Sequence, residues 1–314
     1  MSRASRYVVG VDLGGTKVRA GIAGITSDGE ADPRGALAEI ERPTAAGGGR
    51  ALVAQLVELV HDLCAAVATG VDAVEAVGIG GAGVPDHGQG GFDLSPNLGD
   101  LASFSLSDEL RLALGCVVVL ENDANVAALG ELTAGIGTEH DDFAFISVGT
   151  GIGMGLVVGR ALVRGAGNAA GEIGYLPFGA DPLDPASHRR GPLEEVVAGD
   201  AIAGRYGQGV TVREVFARAD HGDPDALASI DEEAKWVAHA IAAVDAIVDP
   251  GRIVLGGGIG SRPELLASIR SWLDRLGRGA LPVTISELGS AAPVLGALRL
   301  ARDAAGSTHE GVPA

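Results

Sequence analysis

A short segment near the start of the chain combines residue types that hold phosphate groups. An apolar run from Tyr7 ends at Asp12, and Gly14, Gly15 and Thr16 follow before a second apolar run. Glycine lets backbone N–H groups approach phosphate oxygens, a threonine hydroxyl can donate to them, and a carboxylate can hold hydrated Mg²⁺. The pattern indicates a phosphate-binding hairpin with a metal-binding aspartate. The alternative is a tight structural turn in which Asp12 accepts hydrogen bonds from the turn amides.

The hairpin pattern occurs a second time farther along the chain. A strand-like run over 143–148 leads into the sequence GTGIG, from Gly149 to Gly153, and an apolar run over 154–158 follows. This segment offers the same backbone cradle without a carboxylate, as expected if one metal-binding group serves two phosphate-binding turns. The repeat predicts two related domains that face one another.

Glycines cluster at two further places, which we interpret differently. Gly256, Gly257 and Gly258 follow a predicted strand and precede a predicted helix, an arrangement that lets a flat ligand or a phosphate lie against backbone. The glycines over 78–83 formally match the spacing of a dinucleotide-binding turn. Pro85 and a predicted loop stand where the helix of such a site should begin, so we predict a structural turn there.

Asp123 is the carboxylate best placed for proton transfer. It follows a predicted buried strand over 117–120, and a helix is predicted from Asn125 onward. A carboxylate at this position can orient and deprotonate a substrate hydroxyl, while Asn122 holds the substrate ring by hydrogen bonds. The alternative is that Asp123 caps the N-terminus of the following helix.

Two later glutamates are candidates for binding further substrate hydroxyls. Glu172 and Glu194 could each accept two hydrogen bonds from a polyhydroxylated ligand. Each is equally explained as a solvated glutamate near the start of a helix, and their spacing alone favours that alternative.

The elements that must position these residues alternate between strands and helices, which predicts an α/β fold. Apolar residues three to four apart predict helices over 49–68, 193–206, 226–248, 263–276 and 295–305. Strands are predicted over 76–79, 117–120 and 253–255 in addition to the two hairpins. Loops are predicted over 81–96 and 165–191, which are rich in glycine, proline and aspartate.

The composition is that of an ordinary globular protein. Apolar residues make up 46% of the 314 residues, and no apolar run approaches the roughly 18 residues that a bilayer span requires. The length favours two domains. Residues 1–6 lack the apolar core of a signal peptide, so we expect a cytoplasmic protein without a membrane anchor. Cys64 and Cys116 show no metal-ligand spacing and are expected to stay reduced.

The charge excludes one class of partner. A net charge of -18 repels a nucleic-acid backbone, and an aromatic content of 4% leaves few rings for stacking on bases. We therefore expect no nucleic-acid partner. A phosphorylated small molecule is compatible with the charge, because Mg²⁺ and backbone N–H groups supply positive potential locally.

Six motifs together resemble the ROK family of sugar kinases and sugar-responsive repressors, within the actin-like, hexokinase-type ATPase superfamily. They are DLGGTK (12–17), PNL (96–98), ENDANVAALGE (121–131), GTGIG (149–153), AGEIG (170–174) and VLGGGIG (254–260), and the resemblance covers about 7–305. It implies a two-domain α/β fold of the actin-like, ribonuclease H-like type with a cleft between the domains. The small domain would comprise 1–125 with about 297–314, and the large domain 126–296. The resemblance also implies a homodimer.

The resemblance implies a role for each matching position. The catalytic base would be Asp123. Sugar hydroxyls would be bound by Asn122, Glu172 and Glu194, in a pocket that Gly83 and Asn97 also line. The phosphates of ATP would contact Gly14, Gly15, Thr16, Lys17, Thr150 and Gly151, Mg²⁺ would be held by Asp12 through water, and the adenosine would be flanked by Gly256, Gly257 and Gly258.

The chain departs from the family at one place. The family commonly has a histidine after AGEIG and a cysteine cluster shortly before the second sugar-binding glutamate, which together hold a structural zinc. Here Tyr175 stands at the histidine position, and no cysteine precedes Glu194 in that region. His188 alone cannot make a tetrahedral site, so we expect no structural zinc and a solvent-facing histidine. Because the family's histidine also lies near the sugar, we add Tyr175 to the candidate substrate-binding residues and leave the sugar open.

The implied activity is ATP- and Mg²⁺-dependent phosphorylation of a hexose hydroxyl, most simply of glucose to glucose 6-phosphate. Alternative acceptors are an amino sugar, an N-acetylhexosamine, mannose or a cyclitol, and polyphosphate is an alternative donor. The other functional class is a sugar-responsive transcriptional regulator of the same family. Such a regulator needs a DNA-binding helix-turn-helix, for which residues 1–6 are too few.

Overall fold

The computed structural model describes residues 6–25, 35–86, 90–93 and 105–309, and the chain divides into two compact units. The first comprises Met1–Gly135 and Ser290–Ala314, and the second comprises Ile136–Gly289. Each unit contains a five-stranded mixed sheet. The domain boundaries expected from the sequence stay a prediction.

The first unit is built on a sheet with the strand order β3-β2-β1-β4-β7. Its strands are β1 (Arg6–Leu13), β2 (Lys17–Ile25), β3 (Ala38–Pro43), β4 (Val74–Gly81) and β7 (Val117–Asn122), and the short strands β5 (Val84–Asp86) and β6 (Gly91–Asp93) pair separately. Its helices are α1 (Gly49–Ala66), α2 (Leu106–Leu114), α3 (Asp123–Ala134) and α10 (Ala292–His309).

The pairing of these strands brings three chain segments to one edge of the sheet. β1 and β2 are antiparallel and form the predicted hairpin, whereas β1, β4 and β7 run parallel. In register, Asp12 of β1 pairs with Gly80 of β4, and Gly80 pairs with Glu121 of β7. The carboxyl end of β7 therefore delivers Asn122 and the first residue of α3, Asp123, close to Asp12.

Helices cover both faces of this sheet. Val9, Val11 and Leu13 of β1 face a core formed with α1 and α2, whereas Val8 packs with α10 on the opposite face. Because side chains alternate along a strand, Asp12 lies on the α10 face. α3 packs against α10 on that face, and their crossing is unusually close: a Cβ atom at Gly296 would lie 1.6 Å from the carbonyl oxygen of Val126.

The second unit repeats the arrangement with the strand order β10-β9-β8-β11-β12. β8 and β9 form an antiparallel hairpin, and β11 runs parallel to β8, as β4 does to β1. The strands are β8 (Phe143–Val148), β9 (Ile152–Val158), β10 (Ala161–Leu162), β11 (Ile253–Gly256) and β12 (Val283–Ile285). The helices are α4 (Glu194–Val197), α5 (Gly199–Tyr206), α6 (Val212–Ala219), α7 (Pro224–Val248), α8 (Gly257–Gly260) and α9 (Pro263–Arg275).

Two predictions of local structure were wrong. The predicted loop over 81–96 contains β5 and β6, which pair with each other. The predicted helix over 193–206 is interrupted at Ala198, whose backbone is extended (φ -70°, ψ 152°), so α4 and α5 are separate helices. Within the described ranges, no helix has both the length and the apolar character that a membrane crossing needs. Cys64 is buried, Cys116 is half-buried, and both are free thiols.

Candidate active site

The first glycine turn is fixed by hydrogen bonds that leave its tip exposed. Gly14 donates its N–H to the carbonyl of Lys17 at 3.0 Å, and the Thr44 hydroxyl donates to the carbonyl of Gly14 at 2.6 Å. The Thr44 N–H donates to the carbonyl of Thr16 at 3.1 Å. Gly15 and Thr16 remain exposed between these anchors. A turn fixed in this way can present N–H groups and a hydroxyl to an anion without reorganising.

Asp12 lies at the end of β1 beside this turn. Its carboxylate is half-buried, and among the described residues no group donates a hydrogen bond to it. Burial raises the pKa of Asp12, and the nearby charges of Arg19 and Lys17 oppose that rise. Both cations are themselves held by Glu41, with Oε2 at 3.2 Å from Lys17 Nζ and 2.7 Å from Arg19 Nη2. The oxygens of Asp12 are thus suited to Mg²⁺, which prefers oxygen ligands and keeps several waters.

At the end of β7, Asn122 and not Asp123 is the N-cap of α3. Asn122 Oδ1 accepts hydrogen bonds from the N–H groups of Ala124 at 2.9 Å and Asn125 at 3.2 Å. Its Nδ2 donates to the carbonyl of Gly83 at 3.1 Å, which leaves one N–H of that amide for a ligand. Asp123 is the first helical residue and is exposed, with Oδ1 accepting from the Ala124 N–H at 2.8 Å. The N-cap role that was the alternative for Asp123 therefore belongs to Asn122.

Glu121 supports this strand end and was not among the predicted site residues. Its buried Oε1 accepts hydrogen bonds from the Asn122 N–H at 3.0 Å and from Asn125 Nδ2 at 2.9 Å. These bonds fix the backbone that carries Asn122 and Asp123. The signal available in the sequence was a glutamate at the end of an otherwise apolar strand.

In the second unit, one hydrogen bond closes the turn between β8 and β9, and two more join the turn to Gly199 and Glu194. Gly149 donates its N–H to the carbonyl of Gly151 at 2.9 Å. The carbonyl of Gly149 accepts from the Gly199 N–H at 2.9 Å, and the Ile152 N–H donates to Glu194 Oε2 at 3.0 Å. Thr150, at the tip, is exposed.

The Gly256–Gly258 segment lies beside this turn because β11 pairs with β8. Gly256 is in register with Ser147, near the end of β8. Gly257 has a φ of 80°, and a Cβ atom there would lie 2.4 Å from the carbonyl oxygen of Val148. Only glycine fits that position. The predicted strand–glycine–helix order is present, with the short α8 preceding α9.

Gly258 forms part of the wall of a cavity of about 470 Å³ in this unit. The guanidinium of Arg262 stacks over the ring of Phe216 at 4.6 Å from its centroid, which gives one wall a flat cationic surface. Phe216 was not predicted as a site residue because no helix was predicted at α6, and Arg262 directly precedes the predicted helix over 263–276. The cavity is lined by Val212, Arg213, Phe216, Ala217, Asp220, Gly258 and Arg262.

Glu172 and Glu194 lie close enough in this unit to repel each other. Burial raises the pKa of Glu172, and the charge of Glu194 raises it further. Burial also raises the pKa of Glu194, while the hydrogen bond from Ile152 and the charge of Arg190 lower it. Arg190 Nε lies 3.4 Å from Glu194 Oε1, and the same guanidinium pairs with Asp200 at 2.9 Å. Two half-buried carboxylates of this kind are strong acceptors for hydroxyl groups.

Tyr175 lies near this carboxylate pair and is 37% exposed. Burial raises its pKa, and the charges of Glu172 and Glu194 raise it further. Its hydroxyl donates to the carbonyl of Arg189 at 3.3 Å. His188 is exposed, with Nε2 at 3.1 Å from the carbonyl oxygen of Pro182. In the described parts of the chain, no three His, Cys, Asp or Glu side chains form a group that could hold a metal ion.

The candidate residues form one group in each unit. In the first unit, Gly83, Asn122 and Asp123 share a sheet edge with Asp12 and the turn that contains Gly14, Gly15, Thr16 and Lys17. In the second unit, the turn at Thr150 and Gly151 adjoins Glu194, with Glu172 and Tyr175 nearby and Gly256, Gly257 and Gly258 on the neighbouring strand. Asn97 lies outside the described residues.

Comparisons with known proteins agree with these observations. The family model described as ROK family matches residues 8–304. The glucokinase of Halalkalibacterium halodurans is 30% identical over 336 residues, covering 98% of each chain. The N-acetylmannosamine kinase of Shigella flexneri is 33% identical over 273 residues, covering 85% of this chain and 88% of its own.

A solved structure gives the same result for the fold. The ROK family glucokinase from Streptomyces griseus, in complex with glucose and AMPPNP, superposes with a TM-score of 0.72 at 30% identity. The match covers 95% of this chain and 99% of that chain. The resemblance found in the sequence and the α/β, actin-like ATPase fold are both confirmed. The chain belongs to the ROK family, and its enzyme class is that of the sugar kinases, phosphotransferases that act on a sugar hydroxyl.

Proposed function

We propose that the chain is a glucokinase, which transfers the γ-phosphoryl group of ATP to the 6-hydroxyl of glucose and forms glucose 6-phosphate. The observation that carries the proposal is the contact between Glu194 and Ile152, which places a half-buried carboxylate pair directly beside a glycine turn. Hydroxyl acceptors next to a phosphate-type turn suit a sugar that receives a phosphoryl group. The glucokinase relative and the glucose-bound neighbour support this choice of sugar.

Asp123 is proposed as the general base. It is an exposed carboxylate held in place by the capped start of α3, so it can accept a hydroxyl proton as the oxygen attacks the γ-phosphorus. Asn122 has one remaining N–H to donate to a sugar hydroxyl. Glu172 and Glu194 are proposed to accept hydrogen bonds from further hydroxyls, and Gly83 and Asn97 are proposed as further sugar-binding residues.

The two glycine turns are proposed to bind the phosphates of the nucleotide. Their exposed residues, Thr16 and Thr150, offer hydroxyls, and the neighbouring Gly15 and Gly151 add backbone N–H groups. Lys17 is exposed and adds positive charge near the first turn. Asp12 is proposed to hold Mg²⁺ through water, and the bound metal would neutralise charge that develops on the transferred phosphoryl group.

We propose ATP rather than polyphosphate as the donor. Polyphosphate needs only the anion-binding turns, whereas the cavity beside Gly258 has a volume suited to a nucleoside and a stacked Arg262–Phe216 wall. Gly256, Gly257 and Gly258 would flank the adenosine. Equal turnover with ATP and polyphosphate would contradict this part of the proposal.

N-Acetylmannosamine is the second candidate acceptor. It is favoured by the relative that carries that activity and by Tyr175, which stands near Glu172 and Glu194 where a side chain could contact the substituent at carbon 2. A regulator is less supported, because a net charge of -18 opposes DNA binding. A homodimer and a cytoplasmic location stay predictions.

The experiment is an ATP-coupled assay over a panel of glucose, mannose, glucosamine, N-acetylglucosamine and N-acetylmannosamine. We expect the highest kcat/KM for glucose, and phosphorus NMR of the product should place the phosphate on the 6-oxygen. Preference for N-acetylmannosamine would select the second candidate. Failure on every sugar would refute the proposal that this chain is a hexose kinase.

A further inference from the structure

One short segment holds the turn between β8 and β9 at two points. The Gly199 N–H donates to the carbonyl of Gly149 at 2.9 Å, and the Ile152 N–H donates to Glu194 Oε2 at 3.0 Å. The stretch from Glu194 to Gly199 therefore bonds to the residues on either side of Thr150 and Gly151. The residue at one end of this stretch belongs to the proposed sugar site.

The carboxylate of Glu194 also lies directly against Gly151. A Cβ atom at Gly151 would be 2.5 Å from Oε2 and 2.9 Å from Cδ of Glu194, so any side chain larger than hydrogen would have to displace the carboxylate. On the other side, Arg190 lies 3.4 Å from Oε1 and is itself paired with Asp200. The carboxylate thus fills the space between a guanidinium and the turn.

We propose that Glu194 is a positioning residue for the phosphate-binding turn as well as a sugar ligand, so that one carboxylate couples the two ligands. The sugar half of this inference rests on the proposed function, whereas the contact with the turn stands on geometry alone. A sugar hydroxyl that donates to Glu194 fixes the carboxylate, which in turn fixes the Ile152 N–H and the turn. By thermodynamic reciprocity, a nucleotide that orders the turn prepares the carboxylate for the sugar.

The first test separates the hydrogen bond of Glu194 from its charge. Glu194→Gln and Glu194→Ala are both neutral, but only the glutamine carbonyl can accept from the Ile152 N–H. Without sugar, we expect Glu194→Ala to bind Mg²⁺–AMPPNP about fivefold more weakly than Glu194→Gln, measured by titration calorimetry. The Ile152 amide should also exchange its hydrogen faster in Glu194→Ala. Equal nucleotide affinity and equal exchange in the two variants would overturn the proposal.

The matched control for this test is Glu195→Gln. Glu195 is the next residue of α4, and its carboxylate makes no hydrogen bond among the described residues. Removing its charge should leave nucleotide affinity within about twofold of the wild type. A loss as large as that of Glu194→Ala would show a general effect of α4 and would overturn the specific role of Glu194.

The second test changes the turn and measures the sugar. In Gly151→Ala the new methyl group must displace the flexible end of Glu194, so glucose affinity without nucleotide should fall at least about tenfold. Gly204→Ala is the control, because Gly204 lies on α5 in the same unit and a Cβ atom there has no neighbour within 4 Å among the described residues. It should keep wild-type glucose affinity. Should the sugar panel select another hexose, the same comparison is made with that hexose.

The outcomes distinguish the two proposals. Unchanged sugar affinity in Gly151→Ala, or an equal loss in Gly204→Ala, would overturn the coupling while leaving the kinase assignment intact. A wild-type protein that binds no hexose would refute the proposed function and the sugar half of the coupling. In that case the pair Glu194→Ala and Glu194→Gln still decides whether Glu194 positions the turn.

Discussion

Gly296 is the position where one methyl group should most strongly disturb the first unit. It lies on α10 where that helix crosses α3. A Cβ atom there would be 1.6 Å from the carbonyl oxygen of Val126, 2.6 Å from its carbonyl carbon and 2.7 Å from the N atom of Gly130. All three atoms are backbone, so no side-chain rotation can relieve the contact. The helices would have to separate, and α3 carries Asp123 as its first residue.

The size of the effect follows from these distances. A carbon–oxygen contact of about 3.3 Å is normal, so the Gly296→Ala helices must separate by roughly 1.7 Å at the crossing. Overpacking lowers the free energy of unfolding by about 1–3 kcal/mol when side chains can adjust. A clash with backbone atoms should cost about 3 kcal/mol or more, because the backbone adjusts less easily. Alanine in place of glycine returns about 1 kcal/mol of helix propensity. We expect a net loss of about 2 kcal/mol or more in the free energy of unfolding.

Urea unfolding monitored by circular dichroism measures this loss. A decrease of about 2 kcal/mol should lower the urea midpoint by about 1 M. Gly306→Ala is the matched control on the same helix, because a Cβ atom at that position has no neighbour within 4 Å in the described part of the chain. That variant should gain roughly 0.5–1 kcal/mol. A Gly296→Ala protein with the wild-type midpoint would refute the close crossing of α3 and α10.

Glu233 is fully buried, and burial raises its pKa to about 8 although Arg205 donates to one of its oxygens at 2.7 Å. The folded protein then binds this proton more tightly than the unfolded chain, so stability should fall by a few kcal/mol, roughly, as pH rises from 4.5 to 8. In Glu233→Gln, the free energy of unfolding, measured by urea unfolding at several pH values, should no longer fall over this range. The same fall with pH in the variant would contradict the raised pKa of Glu233. Burial also raises the pKa of Glu172 and Glu194, so sugar affinity should weaken as pH falls, starting above the ordinary glutamate value of 4.5. Calorimetric titrations with glucose test this, and constant affinity down to pH 4.5 would argue against ionised carboxylates as the acceptors. Tyr175→Phe removes one hydrogen bond from a part-exposed ring, so the free energy of unfolding should change by less than about 1 kcal/mol, and a larger change in urea unfolding would assign Tyr175 a structural role.

Local patterns explain why the two hairpins could be predicted from the sequence. The apolar runs that flank Asp12 and Gly149 and the glycines between them are contiguous in the chain, so their pairing needs no distant contact. The helices α1, α7 and α9 were predicted within a few residues of their bounds because their apolar faces repeat with the helical period.

Contacts between distant segments could not be predicted in this way. The bond from Ile152 to Glu194 joins residues 42 positions apart, and neither residue alone indicates the other. The cavity wall brings Phe216 of α6 against Arg262, 46 positions away, and α6 itself was not predicted although its apolar residues repeat with the helical period. The sequence also could not decide which of two adjacent polar residues caps α3, because Asn122 and Asp123 are both good N-caps and only the backbone angles distinguish them.

Turnover of glucose and ATP by Asp123→Ala tests whether Asp123 is the general base. We expect a decrease in kcat of at least about a hundredfold with an unchanged circular dichroism spectrum. The matched control is Asp225→Ala, which removes another exposed aspartate from the first turn of a helix, α7, and should keep wild-type turnover. Near-normal turnover in Asp123→Ala would contradict the assignment of Asp123 as the base.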